Sequence, residues 1–382
     1  MLIDFGPQPP SNRFRPAGQA DSAAHPLKIG VCGACGLIHL VDPMPAAIVK
    51  SRYAWLTYNE PENHLDALAE RLVALPGLHK NSRIVGLTYK DDTLLSRMRK
   101  LFFDSTARFD MAADFGVTDV CAGLETIQAA MTDARAEMLI KTHGRADMVI
   151  VRHVLEHAHD PRAFLCAVCK LAIDGGYVVF EMPDAAKFIN ACDYTFVWEE
   201  HITYFTSATL RGLVARAGFD LADIVLYPFP LEDSLVAILK VAPATSTPAA
   251  EQPDLAPARN FARSFTSHRG RYQAYFGGLH AQGKRMAIFG AGHLAAKFVN
   301  LFGLKDCFVC AIDESPHKQG LAMPGSGLPI QCSTVLPTID VCMLSLSPES
   351  ERKVLQKQHA YIDRGGRFAS IFALSPLALK LS

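Results

Sequence analysis

The chain has 382 residues, 49% of them hydrophobic, which indicates a globular protein of two or three domains and excludes a disordered one. Lysine plus arginine and aspartate plus glutamate each total 38, so no basic bias points to nucleic acid. Charges interrupt every apolar run well before the ~18 residues that a membrane span requires. We therefore expect a soluble protein with a small-molecule partner, not a nucleic acid or a membrane.

Residues 1–60 form a proline-rich segment that we expect to be irregular around Cys32 and Cys35. This Cys-x-x-Cys pair has the spacing of half a zinc ribbon, but a structural zinc needs four ligands and no second such pair follows. Either His25 or His39 completes the set, or the two cysteines are reduced thiols. The ten irregularly spaced cysteines, and a start without a basic segment and apolar run, favour the cytoplasm.

Residues 61–240 alternate helical and β-type segments. Leucines at spacings of three and four predict an amphipathic helix over residues 62–75. Apolar runs such as "SRIVGLTY" and "ADMVIVRHVL" are each followed by a helical stretch, a pattern that predicts a mostly parallel sheet covered by helices. The last two strands, "FDLADIVLYPF" and "SLVAILKV", are connected too tightly for a crossover helix and should be antiparallel.

Residues 241–259, "VAPATSTPAAEQPDLAPAR", replace periodic hydrophobic residues with Pro, Ala, Ser and Thr and are predicted to be a linker. Residues 260–382 then form a second α/β domain, which opens with a helix over residues 258–282. The strand "RMAIF" is followed by the turn Gly290-Ala291-Gly292 and a helix. Such a turn suits a nucleotide-like group, with Asp313 of the next strand at a ribose, or it only allows a tight strand-to-helix connection.

The central domain contains two clusters of ionisable residues, one after a strand and one between two α/β elements. "RHVLEHAHD" places His153, Glu156 and His157 after an apolar strand, where the pocket of an open α/β sheet lies. His-x-x-x-His is also a zinc spacing, but a predicted loop weakens that interpretation. The structural alternative is that Asp160 only begins the next helix.

The second cluster is "DYTFVWEEHITYFT", residues 193–206. Glu200 and His201 could provide a general base and its orienting carboxylate, with Trp198 and Tyr204 as an apolar wall. Alternatively the segment caps the following helix and its aromatic residues lie in the core. The two interpretations are compatible.

Together these stretches resemble the three-domain sugar C-methyltransferases, which act on nucleotide-linked keto-deoxysugars. The resemblance covers nearly the whole chain. It is carried by "QPPSNRF" (8–14), "VCGACGLIHL", "EEHITYF" (199–205), "FGAGHLAAK" and, most specifically, "DESPHKQGLAMPG" (313–325). The resemblance implies a class I methyltransferase-like Rossmann domain between a zinc-ribbon segment and a C-terminal Rossmann-like domain.

By the same resemblance the cofactor is S-adenosylmethionine, and Cys32 and Cys35 are zinc ligands of an incomplete set. His201 would help to remove a proton beside the sugar ketone, with Glu200 and His157 as further catalytic residues, and the enolate would take the methyl group. Cofactor-binding positions are Thr88, Tyr89, Lys90, Asp91, Asp92 and His153. Substrate-binding positions are Trp198, Tyr204, Tyr53, Gly290, Gly292, Asp313 and Lys318. We expect Tyr58 to line the pocket as well.

The cofactor loop departs from the family pattern. Where the family has "LEIGSNDGTLL", this chain has "VGLTYKDDTLL", so its strand acid becomes Gly86 and its loop glycines become Thr88 and Asp92. Side chains at glycine positions block close approach of a cofactor. The family's aromatic base is Trp198 here, which has no acid-base capacity. An enolising isomerase or epimerase, another donor, or a non-catalytic binding protein therefore remain as alternatives.

Overall fold

A computed structural model describes residues 1–56, 58, 60–241 and 253–381. Most of the predicted linker, residues 242–252, lies outside the described residues. In the described part of the chain, no helix is both long and apolar enough to cross a membrane.

The N-terminal segment, expected to be irregular, folds as an antiparallel sheet in the order β1-β3-β4-β9. Its β9 comes from the central domain, where Thr203 and Tyr204 pair with His39 and Ile38. The elements are β1 (Ile3–Gln8), β2 (Arg15–Pro16), β3 (His25–Val31), β4 (Ile38–Val41) and α1 (Ala46–Val49). The short strands alternate with prolines, which hides their period of two.

The central domain contains a six-stranded sheet in the order β10-β11-β8-β7-β5-β6. Strands β6, β5, β7 and β8 are parallel, whereas β11 pairs antiparallel with β8 and β10, which confirms the predicted closing pair. The elements are α2 (Leu65–Val73), β5 (Ile84–Gly86), α3 (Asp92–Lys100), β6 (Thr106–Arg108), α4 (Leu124–Ala130), α5 (Asp133–His143), β7 (Ala146–Arg152), α6 (Pro161–Cys169), β8 (Ala172–Asp184), α7 (Ala186–Ala191), β9 (Thr203–Tyr204), α8 (Ser207–Ala217), β10 (Asp220–Tyr227) and β11 (Asp233–Lys240).

The C-terminal domain contains a parallel sheet in the order β15-β13-β12-β16-β17. A separate two-stranded pairing joins β14 to β2 of the N-terminal segment. The elements are α9 (Ala256–Ala281), β12 (Met286–Phe289), α10 (His293–Phe302), β13 (Phe308–Ile312), β14 (Leu321–Ala322), β15 (Ile330–Gln331), β16 (Val341–Leu344), α11 (Pro348–Lys357), α12 (His359–Asp363) and β17 (Arg367–Ser370).

Local signals explain the helix ends near the site. The Asp160 side chain accepts a bond from the Ala163 N–H group at the start of α6, and Pro161 takes the first helical position. Thr206 caps α8, and Gly218 ends it with a φ of 81°. Asp160 and Thr206 therefore cap helices, as the structural interpretations of these two segments predicted. This role is compatible with a function of the neighbouring residues.

One hydrophobic core joins parts that are far apart in sequence. It contains Phe5 and Ile29 of the N-terminal segment, Phe188 and Tyr194 of the central domain, and Phe261 with much of the C-terminal domain. Two further cores cover the two faces of the central sheet. The shared core holds the N-terminal segment, residues 185–204 and the C-terminal domain together around the side chains described next.

Candidate active site at the junction of the three domains

The two predicted ionisable clusters meet in space. His157 ends the short 3₁₀ helix Leu155–His157 that follows β7, and its ring meets the His201 ring edge-on at a centroid distance of 4.9 Å. The Ile202 N–H group donates to the Glu156 carbonyl group at 2.8 Å, which fixes the segment of His201 against this helix. The structure therefore brings together residues 44 positions apart.

Each of the two adjacent glutamates contacts a different partner. Glu199 pairs with Lys297 of α10 at 2.6 Å and accepts a bond from the backbone of Ser11. Glu200 accepts a bond from Asn12 at 3.1 Å. The "SNRF" stretch of the N-terminal segment thus contacts both carboxyl groups, and all three domains contribute to the site.

Burial sets the protonation of these side chains. Burial, the Glu199 carboxylate and the Glu125 carboxylate raise the pKa of Glu200 well above its ordinary value, so it holds a proton. Burial also lowers the pKa of His157, against the opposing effect of Glu156. Burial and the neighbouring histidines lower the pKa of His201, so both imidazoles are neutral and can accept a proton.

An aromatic wall closes one side of the site. His293, at the start of α10, stacks on Trp198 with a centroid distance of 4.0 Å and an interplanar angle of 20°. Tyr58 meets both rings edge-on at 5.3 and 5.4 Å. Trp198 also lies 5.0 Å from the His201 ring. The predicted wall therefore includes a residue of the C-terminal domain.

His153 lies on the opposite side in a buried charge network. Its φ of 56° is in the left-handed region, which is strained for a residue with a side chain. Its ring nitrogens lie 3.6 Å from Glu156 and 3.5 Å from Glu181. Burial opposes its charge, but these carboxylates outweigh burial and raise the pKa of His153 to about 10. Glu181 also binds Arg152 at 2.6 Å and His64 at 2.9 Å.

The predicted cofactor loop, residues 87–92, is closed by its own side chains. Asp91 accepts a bond from the Thr88 N–H group at 2.7 Å and from the Arg152 N–H group at 2.9 Å. Backbone or side-chain oxygens also accept from the N–H groups of Leu87, Lys90, Asp91 and Asp92. The Lys90 ammonium group donates to the Tyr58 carbonyl group at 2.7 Å. These hydrogen bonds leave the loop few groups to offer a ligand.

Gly86 is part of the same closure. A Cβ atom on Gly86 would lie 2.7 Å from the Asp91 Cβ and 2.9 Å from the Leu95 Cδ1 atom. The Asp91 side chain thus occupies the space into which the family's strand acid would project. Asp92 turns outward and pairs with Arg108 at 2.9 Å.

The glycine turn of the C-terminal domain is closed in a similar way. Asp313 accepts a bond from the Ala291 N–H group at 3.0 Å and pairs with Lys318 at 3.0 Å. The Gly290 N–H group donates to Ile312 and that of Gly292 to the Gly290 carbonyl group. Gly290 has a φ of 97° and leaves no room for a side chain beside the Ser345 carbonyl oxygen. This geometry matches the tight-turn interpretation.

The remaining predicted side chains lie around this centre. The Tyr204 hydroxyl group bonds to the Trp198 backbone at 3.1 and 3.2 Å, which holds the "WEEH" loop in place. The Tyr53 hydroxyl group donates to the Phe14 carbonyl group at 2.9 Å. Tyr89 is exposed. The substrate and cofactor roles of these residues stay predictions.

Cys32 and Cys35 lie side by side as free thiols. Among the described residues, no third histidine, cysteine, aspartate or glutamate lies close enough to them to form a three-ligand group. His39 instead bonds to the Leu40 carbonyl oxygen at 2.9 Å. The residues present do not fit a four-ligand zinc site.

Several residues of the site escaped the sequence analysis. His293 and Lys297 lie in a helix assigned to another domain, and Asn12 lies in a proline-rich segment. Arg152 had a usable signal, because a charged residue at the end of a buried apolar strand needs a partner. Glu181, at the end of the next strand, is that partner.

Comparison with known families agrees with this three-part construction. A model described as "Methyltransferase domain" matches residues 58–224, and one described as "C-methyltransferase C-terminal domain" matches residues 245–373. A third, described as "Putative zinc binding domain", matches residues 1–49. The three models match in the order expected of a three-domain C-methyltransferase, and the chain is a methyltransferase-like enzyme with a class I methyltransferase-like domain.

A relative spans almost the whole chain. C-methyltransferase NovU of Streptomyces niveus is 24% identical over 395 residues, covering 96% of this chain and 91% of the relative. Two similar solved structures are an O-methyltransferase family protein (16% identical, 47% of this chain, 56% of that chain, TM-score 0.30) and 1,6-didemethyltoxoflavin-N1-methyltransferase (13%, 47%, 77%, 0.30), both from Burkholderia thailandensis.

The family implies S-adenosylmethionine, but the loop as closed does not fit this cofactor in the family's manner. The Asp91 carboxylate fills the space beside Gly86, and its two oxygens already accept backbone N–H groups. The Thr88 N–H group of the predicted cofactor loop is one of those donors. Residues that close the loop would have to move before the cofactor could bind there.

Proposed function

We propose that this enzyme removes a proton from the carbon beside the carbonyl group of a nucleotide-linked keto-sugar. The observation that carries the proposal is the edge-on contact of the His157 and His201 rings in one buried site, where burial lowers the pKa of both imidazoles and raises the pKa of the Glu200 carboxyl group. A neutral base and a neutral acid in one buried site suit proton abstraction next to a carbonyl. The sugar and its nucleotide are supported by the resemblance to sugar C-methyltransferases.

The chemistry assigned to the residues is as follows. His201 takes the proton, the C–H electron pair enters a new carbon–carbon double bond, and the carbonyl π electrons move to oxygen. Glu200 donates a hydrogen bond from its carboxylic acid to this oxygen as negative charge develops. His157 supports His201, while Trp198 and His293 exclude water from one side.

The fate of the enolate has two candidates. Methylation by S-adenosylmethionine is supported by the family and by the NovU relative. Reprotonation, as in an isomerase or epimerase, is favoured by the closed loop, in which the Thr88 N–H group already donates a hydrogen bond to Asp91. Both candidates require the same proton removal.

Calorimetric titration separates these fates. Because the loop closes on itself, we expect no heat when the full chain is titrated with S-adenosylmethionine or S-adenosylhomocysteine. Saturable one-to-one binding would contradict the closed loop and make methylation the fate of the enolate.

Deuterium exchange tests proton removal itself. A nucleoside-diphosphate-linked keto-deoxysugar incubated with the enzyme in deuterated water should gain deuterium beside the ketone. His201→Ala should abolish the gain, and Glu200→Gln should slow it about 10²-fold or more through weaker stabilisation of the oxyanion. His159→Ala, an exposed histidine of the first cluster, is the matched control and should exchange normally. Absence of exchange with the wild-type chain would overturn the proposal.

A further inference from the structure

Three side chains of the site also form a group with the composition of a metal centre. Glu156 and His157 are consecutive in a short helix, and His201 lies across from them. One potential ligand atom from each of the three lies within 4.8 Å of the other two. Two imidazoles and one carboxylate are the donors of many catalytic zinc and related sites.

The buried atoms of this group lack partners. Glu156 is 2% exposed and His157 is 6% exposed. Neither carboxylate oxygen of Glu156 has a hydrogen-bond partner among the described residues. The same is true of the His157 Nδ1 atom. The Glu156 Oε1 atom faces the His153 ring at 3.6 Å, but the Glu156 Oε2 atom and the His157 Nδ1 atom have no such neighbour, and buried polar atoms without a partner are costly and indicate a ligand.

The group is held by backbone contacts that would survive metal binding. The Ile202 N–H group donates to the Glu156 carbonyl group at 2.8 Å and ties the His201 segment to the helix. Ligand atoms about 2.0–2.2 Å from one ion lie at most about 4.4 Å apart. Small side-chain rotations within this frame therefore suffice to close the group around an ion.

A neighbouring residue could orient the carboxylate. The His153 Nδ1 atom lies 3.6 Å from the Glu156 Oε1 atom. Metal-binding carboxylates are usually held by such an outer partner, which leaves the second oxygen for the ion. His153 is also fixed by its backbone bond to the Glu181 carbonyl group at 2.7 Å.

We propose that Glu156, His157 and His201 bind one divalent cation of the zinc class, with a coordination position open to water or to a ligand oxygen. This site is separate from the cysteine pair of the N-terminal segment. It goes beyond the proposed function, because an ion on His201 uses the lone pair that would accept the substrate proton. Metal binding and proton removal by His201 are thus alternatives, and each can be tested alone.

Cobalt(II) is the probe that tests the site. The full chain, purified without a polyhistidine tag and stripped with a chelator, is titrated with Co²⁺ and followed by its visible absorption. We expect one ion per chain, with visible bands of a four- or five-coordinate site and without the near-ultraviolet charge-transfer band of a cobalt–thiolate bond. Zn²⁺ followed by calorimetry should give the same stoichiometry and displace the cobalt.

Variants separate this site from the alternatives. Glu156→Gln and His157→Ala should each weaken Co²⁺ binding at least tenfold, and His153→Asn should weaken it less, while circular dichroism checks that each variant is folded. The double variant Cys32→Ser, Cys35→Ser and the variant His159→Ala should bind as the wild-type chain does. Absence of binding, a thiolate band lost with the cysteines, or unchanged affinity in both Glu156→Gln and His157→Ala would overturn the proposal.

Zinc loading also distinguishes this proposal from the proposed function. Saturation with Zn²⁺ should abolish the deuterium exchange that depends on His201, and a chelator should restore it. Exchange that continues with the ion bound would overturn the placement of the ion on His201, while the cobalt titration remains independent of any substrate.

Discussion

The chain contains two strand-turn-helix connections of the kind that bind nucleotides, one in each α/β domain, and both are closed by an acid of the chain itself. In the central domain Asp91, three residues along the loop, accepts the Thr88 N–H group. In the C-terminal domain Asp313, from the next strand, accepts the Ala291 N–H group. The first turn has lost its glycines and the second has kept them, yet the outcome is the same.

The helices behind the two turns differ in what they contact. Helix α3 follows the first turn and packs on α2 of its own domain through a core that contains Leu68 and Leu94. Helix α10 follows the second turn and sends His293 and Lys297 into the site of the central domain. The second turn therefore acts as a positioning element for the active site, whereas the first has become a closed part of its own domain.

The largest expected effect concerns the ion pair between Lys297 of α10 and Glu199 of the central domain. Replacing Lys297 with alanine leaves the Glu199 carboxylate buried without its cation, since both side chains are at most 1% exposed. We expect a loss of about 3–5 kcal/mol in the free energy of unfolding, measured by urea denaturation. Lys353→Ala, whose exposed partner is Glu349 at 2.7 Å, should cost less than about 1 kcal/mol. Equal losses in the two variants would mean that α10 does not anchor the site.

A smaller effect compares the glycines of the two turns. Gly86→Ser places a Cβ atom against Asp91 and Leu95 and should cost about 1–3 kcal/mol. Gly292→Ser meets nothing within 4 Å, has a φ of −115° and provides a favourable N-cap, so it should change stability by less than about 0.5 kcal/mol. Thermal and urea unfolding measure both variants. A harmless Gly86→Ser would show that the first turn is not packed as described.

A further difference between the two turns is the pH dependence of the first. Burial, against the opposing bonds from Thr88 and Arg152, raises the pKa of Asp91 to about 7, above its unfolded value of about 3.9. The folded state therefore holds this proton more tightly, and the stabilisation is complete below about pH 4 and lost as the pH rises through about 7. The slope is at most about 1.4 kcal/mol per pH unit.

Urea denaturation of the wild-type chain and of Asp91→Asn between pH 4 and 8 measures this difference. The free energy of unfolding of the wild-type chain should fall relative to that of the variant as the pH rises. A constant difference would mean that Asp91 is already ionised throughout this range and that its two backbone hydrogen bonds outweigh its burial.

Much of the fold could be predicted from local patterns. Alternating apolar strands and helices indicated the two α/β domains, and the tight connection indicated the antiparallel pair β10 and β11. The helix predicted over residues 258–282 is observed as α9, Ala256–Ala281. The helix predicted over 62–75 is shorter, Leu65–Val73, because Pro76 follows and His64 turns inward to Glu181. The N-terminal sheet was missed, since its third interstrand partner lies more than 160 residues away.

The site was predicted only in part. The histidines and glutamates of "HVLEH" were recognised because they directly follow an apolar strand, and those of "WEEH" because ionisable and aromatic side chains are dense in that segment. Their partners were not, because Asn12, His293 and Lys297 belong to segments with ordinary sequence patterns. No local pattern reveals that Asn12 contacts Glu200 across 188 positions.

The sequence alone determined the alternating elements of the two α/β domains, their order and the two ionisable clusters, because hydrophobic periodicity and turn residues act over a few neighbouring positions. Only the tertiary structure decided whether the N–H groups of either nucleotide-type turn are free and which acidic side chain accepts their hydrogen bonds. It also decided that helix α10 contributes side chains to the active site. These outcomes depend on side chains from distant segments competing for the same few N–H groups and the same buried space. That competition is settled only when the three domains pack together.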